Sequence, residues 1–284
     1  MGVLSQNLVL PSGTDALLRN LVHERTGVFF DDSKLDLLVD KISPLVIERG
    51  FHSYLDYYYL LKYDEAERAE WMNVMNMVSV QETYFWREVD QVKALVQNVL
   101  PSLHEMYGPT TLRIWSAACA TGEEPLTIAI ALNEAGWFEK ASIEIVASDA
   151  SSKAISKARK GVYNNRSVRN LSLELRQKYF TPQAGSSLWQ INEEIHNRID
   201  WSLANLVDED QISSLASAHV IFCRNVFIYF SDTAISRVVR SFAKFMRPPG
   251  YLFVGASESL IRLAANYTLA EVNDAFVYLK QETA

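Results

Sequence analysis

The sequence predicts an α/β chain, in which an open, mainly parallel sheet follows a domain built only of helices. Three observations predict it. Residues 113–125, RIWSAACATGEEP, run from an extended segment through a small-residue loop into a helix start. Short β-rich runs then alternate with helical ones: 143–147, 155–160, 220–223, 233–246 and 251–254. Residues 1–80, in contrast, show only helical spacing of apolar residues, broken at Gly27 and Gly50.

Composition sets the bounds. The chain has 284 residues with 49% hydrophobic content, enough for a sizeable core and one or two domains. No apolar run is long enough to cross a bilayer. The start, MGVLSQNLVLPSG, lacks a basic n-region and reads as no signal peptide. Met1-Gly2 invites a myristoylation reading, which Gln6 weakens. A net charge of -7 does not suit a nucleic-acid binder with a broad basic face. Cys119 and Cys223 lie in apolar segments, which suggests a reduced compartment, and no metal site is expected.

In the helical part, Thr14 or Asp15 is placed to cap a first helix through Leu17, Leu18, Leu21 and Val22, ended by Gly27. Ser33 opens a second, with Leu35, Leu38, Ile42 and Leu45. Ser53 opens a third, holding Tyr54, Tyr57, Tyr58 and Tyr59, whose helical spacing makes packing their expected role. Residues 65–80 form a fourth. Between Asp15 and Glu70, acidic residues outnumber Lys and Arg, so this domain as a whole would not steer an acidic partner. Residues 81–88, QETYFWRE, set Arg87 among aromatics: either a packed helix start with a surface charge, or a ring-lined grip on a carboxylate. A helix over 90–100 is expected to stop at Pro101.

The loop in 113–125 brings backbone close to a ligand, and the helix start offers free amides. Glu123 at that mouth argues against a phosphate, and no Walker-type lysine follows. The next strand ends in Ser148-Asp149. An acid there is placed to bind two ribose hydroxyls, and as a helix cap it would serve a role that does not exclude the first. Residues 177–200 break the alternation and read as a small antiparallel β insertion, with extended pieces at 188–191 and 195–199. Asn205 and Leu206 follow. Arg224 and Asn225 close the strand 220–223, at the sheet edge where α/β folds bind ligands. Residues 268–271 and 276–279, around Asn273-Asp274, read as a hairpin.

These blocks together resemble the CheR-type chemotaxis receptor methyltransferases. QETYFWRE, RIWSAACATGEEP, ASDASSKAISKARKGVY, HVIFCRNVFIYF and GYLFVGASESL stand in that family's order over nearly the whole chain. The resemblance implies a Rossmann-like S-adenosylmethionine-dependent methyltransferase sheet at 81–284, the helical domain at 1–80, and the β insertion at 177–200. It implies transfer of a methyl group from S-adenosylmethionine to glutamate side chains of a chemoreceptor, leaving S-adenosylhomocysteine. The partner implied is the cytoplasmic region of a membrane receptor, the location cytoplasmic, and the enzyme a monomer.

Carried over by position, the cofactor residues fall on Gln81, Thr83, Arg87, Glu123, Asp149, Asn205, Leu206, Asn225 and Val226, and the catalytic ones on Arg87 and Tyr229. The family block usually has Asn at Gln81, often Gly at Ala117 or Ala118 and at Pro249, and often His at Ala256. The acidic helical domain departs from members whose helical domain presents a basic face. Three other readings stand beside this one. A methyltransferase acting on adenine bases would carry an Asn/Asp-Pro-Pro-Tyr/Phe run where 224–227 reads RNVF. A dinucleotide reductase would carry a Gly-x-Gly-x-x-Gly loop, which is absent. A cofactor-binding signalling scaffold would keep the cleft without the transfer.

Overall fold

The computed structural model describes residues 8–64 and 68–280. Four helices come first: α1 (Thr14–Thr26), α2 (Leu35–Glu48), α3 (Tyr54–Tyr63) and α4 (Arg68–Val78). Residues 65–67, where a longer fourth helix was expected to begin, lie outside the described residues. Their core holds Leu18, Val22, Leu38, Ile42, Tyr57, Leu61 and Val74. Tyr54, Tyr57 and Tyr58 pack into it, whereas Tyr59 remains exposed. One carboxylate is buried there. Glu70 accepts hydrogen bonds from Tyr57 Oη at 2.6 Å, Arg49 Nη2 at 2.6 Å and Asn73 Nδ2 at 3.1 Å.

Ser53 caps α3 as expected, whereas the capping of α1 and α2 differs from the expected pattern. Gly13 takes the α1 cap without a side-chain bond, so neither Thr14 nor Asp15 serves there. Asp31, accepting from the Ser33 amide, starts the turn that leads into α2. Gly27 does end α1, at φ 78°. A Cβ there would also come within 2.7 Å of the Phe230 ring and 2.8 Å of Val207, so only glycine lets α1 end against the sheet domain.

Two further helices, α5 (Val89–Ala94) and α6 (Leu100–Tyr107), are joined by a wide π turn at Leu95–Val99. That turn corrects the expected stop at Pro101. The missing amide of Pro101 falls at the start of a fresh helical stretch, where no partner is needed.

The main sheet has seven strands: β1 (Leu112–Ala117), β2 (Ile143–Asp149), β6 (Ile199–Leu203), β7 (Val220–Cys223), β8 (Tyr251–Phe253), β9 (Tyr267–Val272) and β10 (Ala275–Lys280), in the order β6-β2-β1-β7-β8-β10-β9. The first five run parallel, and β9 and β10 close one edge as an antiparallel hairpin. Asn273 and Asp274 both take positive φ in its turn, as a two-residue hairpin needs. A second sheet of three short antiparallel strands, β3 (Val162–Asn164), β4 (Phe180–Pro182) and β5 (Leu188–Ile191), lies beside it. The extended piece expected at 195–199 is instead a helical turn, Glu193–His196, capped by Asn192; the chain then enters β6 and pairs with β2. Ile195 is buried in both accounts, and periodicity over so few residues does not separate them.

Apolar layers cover both sheet faces. One contains Ile114, Ile145, Leu126, Ile130 and Phe222. The other contains Trp115, Val146, Ile221, Phe242 and Leu252. Alternate residues of β1 thus feed opposite layers, as a sheet buried on both faces requires.

Candidate active site

From β1 the chain winds outward to β2 and β6, then returns to lay β7 on the other side of β1. The loops leaving β1 and β7 therefore diverge, and a cleft opens at the C-terminal strand ends. One wall comes from the helical domain through Thr26, Val28, Met75 and Val78.

The loop after β1 is tightly wound. Ala118 and Ala120 hold φ of 59° and 49°, and Gly122 holds 97°. Side chains in that region cost roughly 1–2 kcal/mol each, so the loop has to be held from outside. The Cys119 amide donates to Ser148 O at 2.9 Å, the Ala120 amide to Asp149 Oδ2 at 2.9 Å, and Tyr163 Oη to Thr121 O at 3.0 Å. A Cβ on Gly122 would meet the Trp201 ring at 2.8 Å. Beyond the loop, α7 (Glu123–Glu134) begins with two acids, which suit a helix N-terminus.

Asp149 ends β2. Its second oxygen, Oδ1, accepts the Ser151 amide at 2.8 Å, and Ser151 caps the following helix, Ser152–Lys160. Burial pushes the Asp149 carboxyl above its ordinary value, and the amides of Ser151, Ala120 and Ala150 oppose that only in part. A carboxylate has about four acceptor positions, so some acceptor capacity remains beyond those amides.

Arg224 follows β7 and is buried. It donates through Nη2 to Arg87 O at 2.6 Å and to Glu88 Oε2 at 3.2 Å, and its Nη1 lies 3.5 Å from Glu124 Oε2. Glu124 also accepts from Ser116 Oγ at 2.7 Å. Burial raises the Glu124 carboxyl, with Arg224 pulling the other way. Asn225, at φ 58°, donates its backbone amide to Glu258 Oε2 at 2.9 Å and its Nδ2 to Glu88 Oε1 at 3.2 Å. Glu88, Arg224 and Glu258 thus brace both sides of the cleft floor.

Eight of the residues singled out by sequence meet in this cleft: Thr83, Arg87, Asp149, Asn205, Leu206, Asn225, Val226 and Tyr229. Gln81 and Glu123 do not line it. They line an adjoining groove that shares Thr83 with the cleft. Gln81 Nε2 donates to Ser151 Oγ at 3.0 Å, and the buried Glu123 carboxylate accepts from Thr121 Oγ1 at 2.6 Å. Successive helix residues point about 100° apart, so Glu124 turns to the cleft and Glu123 turns from it. Asn205 donates its Nδ2 to Arg25 O at 2.7 Å, tying the sheet domain to the end of α1. Arg87 donates to Glu82 O at 3.2 Å, and its guanidinium carbon lies 5.6 Å from the centroid of the Tyr84 ring. Sequence reasoning gave Glu124, Glu88 and Glu258 no role, and placed Arg224 at the ligand-binding edge without naming its carboxylate partners. The available signal was a charge set directly after the buried strand IFC.

The cleft fits a nucleoside joined to an amino acid. Small residues and left-handed backbone let a ligand approach the β1 loop, Asp149 retains acceptor capacity, and both Glu124 and Arg87 line the space. Residues 81–276 match the family model described as CheR methyltransferase, SAM binding domain, and residues 16–77 match that of the CheR methyltransferase all-alpha domain. The chain belongs to the CheR methyltransferase family. Relatives agree with this. Chemotaxis protein methyltransferase 2 of Vibrio cholerae is 35% identical over 96% of this chain and 95% of its own. Chemotaxis protein methyltransferase 1 of Pseudomonas aeruginosa is 31% identical over 92% and 96%. The chemotaxis protein methyltransferase of Escherichia coli is 29% identical over 94% and 91%. This CheR family member is a methyltransferase whose cofactor is S-adenosylmethionine. Among the described residues, no helix is long and apolar enough to cross a membrane.

Proposed function

We propose that the enzyme methylates glutamate side chains in the cytoplasmic region of a membrane chemoreceptor, forming glutamate methyl esters. The observation that carries this reading is the meeting of Arg87 and Tyr229 with Asp149 and Asn225 in one cleft of a CheR family chain. When bound, S-adenosylmethionine supplies an electrophilic methyl group on a sulfonium. Asp149 would accept hydrogen bonds from the ribose hydroxyls with its remaining acceptor capacity. Leu206 and the helical-domain wall would hold the adenine, and Asn225 and Val226 the amino-acid end. Thr83 completes the near side, and Asn205 acts by holding the helical domain against the cleft. Gln81 and Glu123 act from the adjoining groove, by holding Ser151 and Thr121.

A glutamate acceptor, with an unperturbed pKa of ~4.3, is already ionised near neutral pH and needs no strong base. Arg87 steers that carboxylate, and Tyr229 packs against it or donates to it. The grip must stay moderate, because the acceptor's negative charge disappears in the transition state. The apolar Met75 and Val78 side chains help to exclude water from the adenine side of the cleft. The enzyme is, in this reading, a cytoplasmic monomer with a helical domain at 1–80 and a methyltransferase domain at 81–284 that carries the β insertion at 177–200.

Radiolabelled cofactor and receptor-containing membranes test the reading. Label that mild alkali releases as methanol marks a carboxyl methyl ester. Base-stable label would replace glutamate with another acceptor. Cofactor binding without transfer would favour a signalling scaffold.

A further inference from the structure

The lip of the cleft around Glu82 is rich in cations. Arg166 pairs with Glu82 at 2.5 Å while its side chain stays 73% exposed. Arg169 stacks its guanidinium on Tyr84, 3.7 Å from the ring centroid, and donates through Nη1 to Arg166 O at 2.6 Å. Arg87 approaches the same ring and bonds only the carbonyl of Glu82. Neither Arg87 nor Arg169 pairs with a carboxylate among the described residues. Behind them, Lys41, Lys157 and Arg166 line the adjoining groove, where the acids are Glu82, already paired, and Glu123, buried against Thr121.

Stacking on a ring fixes a guanidinium in place without neutralising it. Tyr84 and Arg87 also line the cleft itself. A positive face therefore stands at the entrance, in which Arg166 is paired with Glu82 while Arg87 and Arg169 make no carboxylate pair among the described residues, on a chain whose net charge is -7. The chain as a whole repels an acidic protein, so a local field of opposite sign decides where such a protein can land.

We propose that Arg87, Arg166 and Arg169, backed by Lys41 and Lys157, receive an acidic segment of the acceptor protein, one that carries further carboxylates beside the one being methylated. This rests on the protein-carboxylate reading above. It gives docking a built-in decline, because each ester formed removes one negative charge from the segment.

A synthetic helical peptide with a glutamate every three or four residues is the probe, with binding followed by fluorescence anisotropy. The wild-type enzyme is expected to bind it with an affinity that falls as salt rises. Arg169→Glu is expected to weaken binding by about tenfold or more, with Arg166→Glu acting in the same direction. Arg169→Lys keeps the charge and loses the planar stack, so it is expected to stay close to wild type. Lys140→Glu, at the end of the short helix Trp137–Lys140 that follows α7, changes the same net charge and is expected to leave binding unaltered. S-adenosylhomocysteine affinity, measured by calorimetry, reports folding of every variant and is expected to hold. Wild-type binding in Arg169→Glu, or equal losses in the Lys and Glu variants, overturns the proposal. Peptide binding is read without transfer, so base-stable label on receptor membranes would sink the glutamate reading independently.

Discussion

The Asp149 carboxylate accepts the Ala120 amide at 2.9 Å, which fastens the end of β2 to the strained loop that follows β1. One side chain therefore shapes the loop and faces the cleft at once. Asp149→Ala is expected to weaken S-adenosylhomocysteine binding by ~1–3 kcal/mol, through loss of a buried acceptor. Calorimetry checks it, and unchanged affinity would remove Asp149 from the ribose role.

Affinity should also depend on pH. Burial raises the Asp149 carboxyl, with the Ser151, Ala120 and Ala150 amides offsetting part of the rise. The ionised form does the accepting, so protonation competes with ligand. Affinity is expected to fall on acidification, beginning above the ordinary aspartate range around ~3.9. Calorimetry in a pH series reads this directly, with Asp149→Ala as the variant that loses the dependence.

Arg87 and Tyr229 should separate in kinetics. Arg87→Ala is expected to reduce transfer strongly, by ~100-fold or more if it positions the acceptor. Tyr229→Phe keeps the ring and removes the hydroxyl, so kcat should fall while cofactor affinity holds. Equal turnover by Tyr229→Phe and wild type would confine Tyr229 to packing.

Gly255 sits against Asn225. A Cβ there would lie 2.6 Å from Asn225 Nδ2, 3.0 Å from its backbone nitrogen and 2.9 Å from Glu258 Oε2. Gly255→Ala is expected to push Asn225 off the cleft floor and to cost ~1–3 kcal/mol of stability through overpacking. Thermal melts and cofactor titration together test this, and wild-type values in both would show that the floor can yield.

Glu70 makes the helical domain acid-sensitive. Burial acts to raise its carboxyl, but the hydrogen bonds from Tyr57, Arg49 and Asn73 and the Arg49 charge outweigh it, so the carboxyl lies below its ordinary value. A depressed folded value means that its stabilisation is complete above the unfolded carboxylate range and disappears as pH falls through the folded value. Glu70→Gln is expected to cost about 1–3 kcal/mol near neutrality and less in acid. Urea melts of both proteins at two pH values check the sign.

Much of this was legible in residue order. The strand, small-residue loop and acid-led helix at 113–125 mark β1, its loop and α7, and Asn273-Asp274 marks the hairpin turn. What stayed hidden was set across the chain. Two adjacent glutamates look alike in sequence, and Arg224, a hundred residues on, selects Glu124 for the cleft. Asn205 reads as a ligand contact, yet its amide is engaged by Arg25 O. The helix through Pro101 depends on a π turn for which local propensity gives no sign.

The wall formed by Thr26, Val28, Met75 and Val78 makes the cleft common to the helical part and the sheet part of the chain. His23 Nε2 lies 2.7 Å from Ser231 Oγ, the Phe29 amide donates to Tyr229 O at 2.8 Å, and Asn76 reaches Ser151 and Ser152. By thermodynamic reciprocity, whatever the cofactor gains from the helical wall, domain docking gains from the cofactor. If the cofactor fills this cleft, the seam between the domains is expected to tighten when it binds and to slacken when it leaves, so that an acceptor touching the helical domain would meet a different surface in the two states.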